Sequence, residues 1–170
     1  MPSFKRHVIT YNAKKTADLK KWIENNNKQM DQEEFSYFIE DTLKDFDEPG
    51  GAKMHEIAST LKATIGAEFE QSIKVENGQY RMAWKETIEG RAGVNAAIPV
   101  PNEFTIIISA FGPDKLYKLG AWLRYRPSKS GVRMWYTLKN PQIVIDTAIA
   151  DNLAAVKDKL PGTPIYCGRA

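Results

Sequence analysis

The stretch KLYKLGAWLRYRPSKSGVRMWYTLK, residues 115–139, predicts two β-strands that flank a Pro-Ser-Lys-Ser-Gly turn. It contains seven basic residues and no acidic one. Successive side chains of a strand point to opposite faces of a sheet, so strand position sorts these residues. One face is apolar and comprises Tyr117, Leu119, Ala121, Leu123, Tyr125, Val132, Met134, Tyr136 and Leu138. The other, which we call the cationic face, comprises Lys118, Trp122, Arg124, Arg126, Arg133, Trp135 and Lys139.

The cationic face suggests a class of ligand. A positive surface with flat aromatic rings suits an extended polyanion such as single-stranded nucleic acid. Its five lysines and arginines would neutralise phosphates, while Trp122 and Trp135 would stack bases without reading their identity. Alternatively, a helix or a second subunit covers the two tryptophans, because tryptophan usually buries most of its area. A covered face, however, should show Val, Leu or Ile in place of arginine.

Apolar residues recur at helical spacing in four other segments, which are predicted to form helices. The second helix begins at Asp31, which forms a capping-box pattern with Glu34. The third reaches Gly66, and the fourth has Asn140 as its cap and Pro141 at its first position. The predicted buried stripes are Leu19, Trp22 and Ile23; Phe35, Phe38, Ile39, Leu43 and Phe46; Met54, Ile57, Ala58, Leu61 and Ile65; and Ile145, Ile149, Leu153, Val156 and Leu160.

Three further strands are predicted between the third helix and the 115–139 hairpin. Apolar and polar residues alternate from Glu68 onward, and Asn77-Gly78 is a strong hairpin signal. A two-residue turn there predicts the pairs Val75–Tyr80, Ile73–Met82 and Gln71–Trp84, with Trp84 on the core side. Residues 89–103 are predicted to be a connection, and Phe104–Phe111 a central strand.

These elements predict an α+β fold: an antiparallel five-strand meander sheet with helices packed on one face. No repeat or low-complexity linker divides the chain. We therefore expect a single α+β domain over residues 17–170, preceded by residues 1–16 as an N-terminal basic arm or edge strand.

Composition places the chain among ordinary globular proteins, with 42% hydrophobic and 26% charged residues. The single cysteine, Cys167, excludes an internal disulfide and favours a reducing compartment. The first residues, MPSFKRHVITYN, lack the apolar segment of a signal peptide, and no run of eighteen apolar residues occurs. We therefore expect a cytoplasmic protein without a membrane partner. A net charge of +3 is too small to indicate nucleic-acid binding by itself, so the local clustering of charge carries more weight.

Several motifs together resemble the YfdQ family of phage and prophage proteins. The most specific are FIED at Phe38–Asp41, LKAT at Leu61–Thr64 and LRYR at Leu123–Arg126. The similarity extends over about Ala17 to Gly168, nearly the whole chain. It implies a phage-encoded accessory protein that acts inside a host bacterial cell, and it carries over no catalytic residue.

The motifs of common enzyme classes are missing from the sequence. There is no P-loop, no Gly-x-Ser-x-Gly and no dinucleotide fingerprint, and His55-Glu56 is followed by Ser59 where a zincin helix needs a second histidine. Cys167 has no patterned histidine to activate it. One acidic group lacks the loop spacing of a calcium site: Glu40, Asp41, Asp45, Asp47 and Glu48. We therefore expect no catalytic residue, no metal site and no cofactor.

The sequence favours a non-enzymatic phage accessory protein that binds nucleic acid, preferably single-stranded, in phage DNA metabolism or genome protection. The alternative is an anti-defence inhibitor that binds a host protein, such as a CRISPR or other immune effector. Its interface would be the acidic helix or the aromatic sheet face. DNA or RNA as ligand, and self-association, both stay open.

Overall fold

The computed structural model describes residues 10–74, 80–92, 98–128, 131–165 and 168, and for residues 63–74 and 80–90 it describes the backbone alone. The helices within these ranges are α1 (Ala17–Glu24), α2 (Gln32–Asp41), α3 (Gly51–Thr60) and α4 (Pro141–Lys159). The strands are β1 (Met30–Asp31), β2 (Phe46–Glu48), β3 (Lys62–Lys74), β4 (Tyr80–Ala92), β5 (Ile98–Pro99), β6 (Glu103–Ser109), β7 (Leu116–Ser128) and β8 (Gly131–Leu138).

The strands form a five-stranded sheet in the order β1-β8-β7-β6-β2 and a three-stranded sheet in the order β3-β4-β5. All strand pairs are antiparallel, which confirms the α+β class and the antiparallel five-stranded sheet. The larger sheet is not a continuous meander, however. Only β6, β7 and β8 follow one another in both chain and sheet, and the short strands β1 and β2 form its edges. Strands of two or three residues are too short to show alternation, so the sequence pattern missed them.

The β3–β4 hairpin, predicted as part of the larger sheet, belongs to the smaller one. Its register is Lys74–Tyr80, Ile73–Arg81 and Phe69–Trp84, with an irregularity between Glu70 and Ile73. The predicted pairs Val75–Tyr80, Ile73–Met82 and Gln71–Trp84 are therefore wrong. Tyr80 pairs with Lys74, one residue away from the predicted register, and the irregularity shifts the pairing by one more residue, which alternation does not reveal. The predicted Asn77-Gly78 turn and the side chain of Trp84 lie outside the described residues.

Two predicted helices end earlier than their apolar spacing indicates. The Thr42 hydroxyl, at the end of α2, donates a hydrogen bond to the Phe38 carbonyl (2.7 Å). A short 3-10 helix follows, so Leu43 is 39% exposed and Phe46 begins β2. Likewise α3 ends at Thr60, and Ile65 lies in β3, in agreement with the general preference of isoleucine for strands. Strand β4 also continues to Ala92, into the predicted connection.

Trp22 of α1 lies at the centre of the core and is fully buried. Its ring contacts Phe38 and Tyr136 edge-on, with centroid distances of 5.0 and 4.9 Å. The Tyr136 hydroxyl donates to the Trp22 carbonyl (2.7 Å), and the Trp22 indole N–H donates to Asp45 Oδ2 (2.8 Å). Burial raises the pKa of Asp45, and the hydrogen bond from Trp22 partly opposes this effect. The aromatic core thus joins α1 and α2 to one face of the larger sheet.

Helix α4 covers the same sheet face with only part of its length. Val144, Ile145 and Ala148 are buried, whereas Ile149, Val156 and Leu160 are exposed. The prediction of a buried stripe is therefore wrong beyond Ile145. A helix of 19 residues is about 28 Å long, and its C-terminal half extends past the apolar surface.

The ends of the helices are held by short polar contacts. The capping box of α2 is confirmed, since Asp31 accepts from Glu34 N (2.8 Å) and Glu34 accepts from Asp31 N (3.0 Å). Asn140 precedes α4 as predicted, but it has a left-handed conformation (φ 49°) and its side chain does not cap the helix. Residues 1–9 of the predicted arm lie outside the described residues. In the described part of the chain, no helix combines the length and the apolar character that a membrane span requires.

Candidate nucleic-acid interface

The β7–β8 register places the predicted side chains on one side of the sheet. Trp122 pairs with Thr137, Arg124 with Trp135, and Arg126 with Arg133. Directly paired residues point to the same face. Lys118, Trp122, Arg124, Arg126 and Arg133 are exposed, and Trp135 and Lys139 are half-buried. The structure therefore brings all seven predicted residues together on the face opposite the helices.

Trp122 is 39% exposed on this open face. The guanidinium carbon of Arg124 lies 5.5 Å from its ring centroid, and the Lys139 ammonium lies 5.2 Å from it. Cations at these distances are attracted to the negative face of an indole. Within this chain the Trp122 ring is therefore partly covered and partly exposed.

The two lysines of the cationic face have carboxylate partners. Lys118 Nζ lies 2.8 Å from Asp47 Oδ2, and this hydrogen bond and charge raise the pKa of Lys118. Lys139 Nζ pairs with Glu103, which lies opposite Trp122 on β6. Sequence reasoning missed both acids because they lie on other strands, and only the strand order brings them to this face. Part of the positive charge is thus neutralised within the chain.

The three arginines of the cationic face differ from the lysines. Among the described residues, Arg124, Arg126 and Arg133 form no ion pair. Arg133 does lie directly across from Asp31 of β1. The Asp31 carboxylate is held at the N-terminus of α2, where it accepts from Glu34 N. The arginines of the cationic face thus form a strip along β7 and β8, which consists of Arg124, Arg126 and Arg133 together with Trp122. A strand that bears a carboxylate lies on either side of this strip.

The acidic residues from Glu40 to Glu48 contact other parts of this chain. Asp45 is buried against Trp22, Asp41 lies 3.6 Å from Lys21, and Asp47 pairs with Lys118. Over the described ranges, no three His, Cys, Asp or Glu side chains are grouped so as to hold a metal ion. His55 is half-buried on α3, and Cys167 lies outside the described residues.

Comparison with known proteins places the chain in a family. No curated protein and no solved structure matches it. One family model, described as Uncharacterized conserved protein (DUF2303), matches residues 1–170, which is the full sequence. The chain therefore belongs to the family of uncharacterized conserved proteins DUF2303.

Proposed function

We propose that this chain is a non-enzymatic, phage-encoded accessory protein that binds nucleic acid, preferably single-stranded, in phage DNA metabolism or genome protection. The observation that carries the proposal is the partly exposed indole of Trp122, next to Arg124 and Lys139 on an open sheet face. Stacking on an aromatic ring tolerates any base, because every base has a π-face. The phage setting follows from the motifs that resemble the YfdQ family.

The arginines of the strip supply the electrostatic part of binding. Arg124, Arg126 and Arg133 project from two adjacent strands, and none has a carboxylate partner within 4 Å among the described residues. Phosphate contacts release counterions, so affinity falls with rising salt. An anti-defence inhibitor that displays its acids to a host protein has less support. Asp45 is buried against Trp22 and Asp47 is paired with Lys118, so fewer acids remain for a partner.

Fluorescence anisotropy with short labelled oligonucleotides at several salt concentrations tests the proposal. Arg124→Ala with Arg126→Ala should weaken binding equally for all sequences and lower the salt slope by about 0.7 per lost phosphate contact. Trp122→Ala should cost about 1–3 kcal/mol and leave the slope nearly unchanged, since an indole releases no counterions.

Lys20→Ala with Lys53→Ala serves as the matched control. It removes the same charge from exposed positions on α1 and α3, away from the strip, and should leave affinity nearly unchanged. If the folded wild-type protein does not bind oligonucleotides at low salt, the proposal is wrong. If the control weakens binding as much as the arginine variant, net charge accounts for binding and the strip does not.

A further inference from the structure

We propose, on the basis of the function proposed above, that the carboxylates beside the cationic face select the form of the ligand. They confine it to one strand lying along β7 and β8, and they exclude duplex nucleic acid. The residues concerned are Asp47 and Glu103 on one side and Asp31 on the other. They would act as specificity determinants without touching the bound strand.

On the β6 side, the first carboxylate lies next to the partly exposed indole of Trp122. Glu103 is the direct cross-strand neighbour of Trp122 and holds Lys139. Farther out, Asp47 of β2 holds Lys118, and Glu48 lies beside it. A phosphate that moved from the strip toward β6 would have to displace a carboxylate from each lysine. That exchange yields little net charge neutralisation, so the β6 side does not favour binding of a second phosphate backbone.

On the β1 side, Asp31 lies in register with Arg133. Its carboxylate accepts a hydrogen bond from Glu34 N in the first turn of α2 (2.8 Å). The helix N-terminus favours the negative form of the carboxylate and keeps it in place. The arginine strip is therefore bounded by fixed negative charge on this side too.

The dimensions of the strip decide between one backbone and two. Neighbouring strands are about 4.8 Å apart, so β7 and β8 present a track only one phosphate backbone wide. Duplex DNA holds its two backbones across grooves of about 6 and 12 Å. A duplex laid on the strip would thus place its second backbone over Glu103 and Asp47 or over Asp31. From Trp122 to Arg126 the strip runs about 13 Å, enough for a few nucleotides.

The test compares a labelled single strand and the matching duplex on the full chain. The variant is Asp31→Asn with Asp47→Asn and Glu103→Gln, in which the side-chain amide introduced at position 31 retains an oxygen that can cap α2. Wild type should prefer the single strand. In the variant, duplex affinity should rise roughly fivefold or more for each removed carboxylate at low salt, as expected for unit charges about 4 Å apart in water. The single-strand affinity should rise less, so the preference ratio falls.

Glu33→Gln with Glu40→Gln and Glu56→Gln, which removes three negative charges from exposed positions of α2 and α3, is the matched control and should leave the ratio unchanged. The three single variants, each checked for folding by circular dichroism, replace the triple variant if it does not fold. An unchanged ratio in the carboxylate variants would overturn the inference while the proposed function stands. A wild type that binds duplex as tightly as single strand would overturn the inference and the proposed single-strand preference, but not nucleic-acid binding itself. A wild type that binds neither would overturn both.

Discussion

Loss of the hydrogen bond between Trp22 and Asp45 should destabilise the protein, and the size of this destabilisation should depend on pH. Trp22→Phe removes the indole donor but keeps an aromatic ring among Phe38, Phe104 and Tyr136. Asp45 is only 4% exposed and would lose the 2.8 Å bond that its carboxylate accepts. The variant therefore isolates a buried carboxylate with little other disturbance.

The expected cost can be estimated from two contributions. A hydrogen bond to a charged group contributes about 1.5–3 kcal/mol, and a buried acceptor without its donor costs at least that much. The smaller phenyl ring leaves a void beside the aromatic cluster, which adds about 1 kcal/mol. We expect Trp22→Phe to lower the free energy of unfolding by about 3 kcal/mol at neutral pH.

The pH dependence follows from the direction of the Asp45 pKa. Burial raises this pKa, and the bond from Trp22 lowers it, so the variant should have a still higher folded-state pKa. A carboxyl whose pKa is higher in the folded than in the unfolded state takes up a proton on folding. Its stabilising contribution is full below the unfolded pKa and is lost as pH rises through the folded pKa. The deficit of Trp22→Phe should therefore shrink as pH falls from neutral toward about 3.9, the ordinary aspartate value.

Urea unfolding followed by far-UV circular dichroism at several pH values measures this deficit. Phe104→Leu is the control, because it disturbs the same aromatic cluster without a titrating partner, and its deficit should not change with pH. If the Trp22→Phe deficit were as large near pH ~5 as at neutral pH, the assigned role of Asp45 would be refuted.

Two further stability predictions concern the packing of α2 and α3. Gly51→Ala should destabilise the protein by about 2 kcal/mol, because the added Cβ would lie 2.4 Å from the Leu43 carbonyl oxygen. Gly50→Ala is the control, since no atom lies within 4 Å of its Cβ, and equal urea midpoints for the two variants would contradict the prediction. Gln32→Ala should cost about 1–2 kcal/mol, since the Gln32 amide donates to two carbonyls at the end of α3 (2.9 and 3.0 Å), and an unchanged midpoint would show that these bonds contribute nothing.

Local patterns predicted those parts of the fold that local chemistry determines. The capping box at Asp31 and Glu34 sets the start of α2, as the spacing of the two residues predicts. Alternation over β7 and β8 sorted every residue to the correct face, because a half-buried strand repeats with a period of two. These features depend on residues only a few positions apart.

Features that depend on distant contacts were not predicted from the sequence. The register of β3 and β4 shifts at an irregularity near Glu70, which no local pattern marks. Apolar residues of α4 look like a core stripe, yet Val156 and Leu160 extend beyond the surface that buries Ile145. Hydrophobic spacing thus tells which helix face is apolar, but not how far the rest of the protein covers it.

The electrostatics of the cationic face shows the same dependence on distant residues. Lys118 meets an acid 71 positions earlier in the chain, and Lys139 meets one 36 positions earlier. If all five basic residues of the cationic face contacted phosphates, the salt slope would be about 3.5 for single-stranded ligands. A lysine that leaves a carboxylate for a phosphate releases no additional counterion, so the three arginines should set the slope.

We therefore expect the logarithm of affinity to fall with the logarithm of salt concentration with a slope of about 2. Titrations of wild type with a labelled single strand at several salt concentrations measure it. Glu103→Gln, which frees Lys139 to contact a phosphate, should raise the slope by about 0.7. A wild-type slope near 3.5, unchanged in Glu103→Gln, would mean that both lysines already contact the ligand. The carboxylates on neighbouring strands would then not limit the charge available for binding.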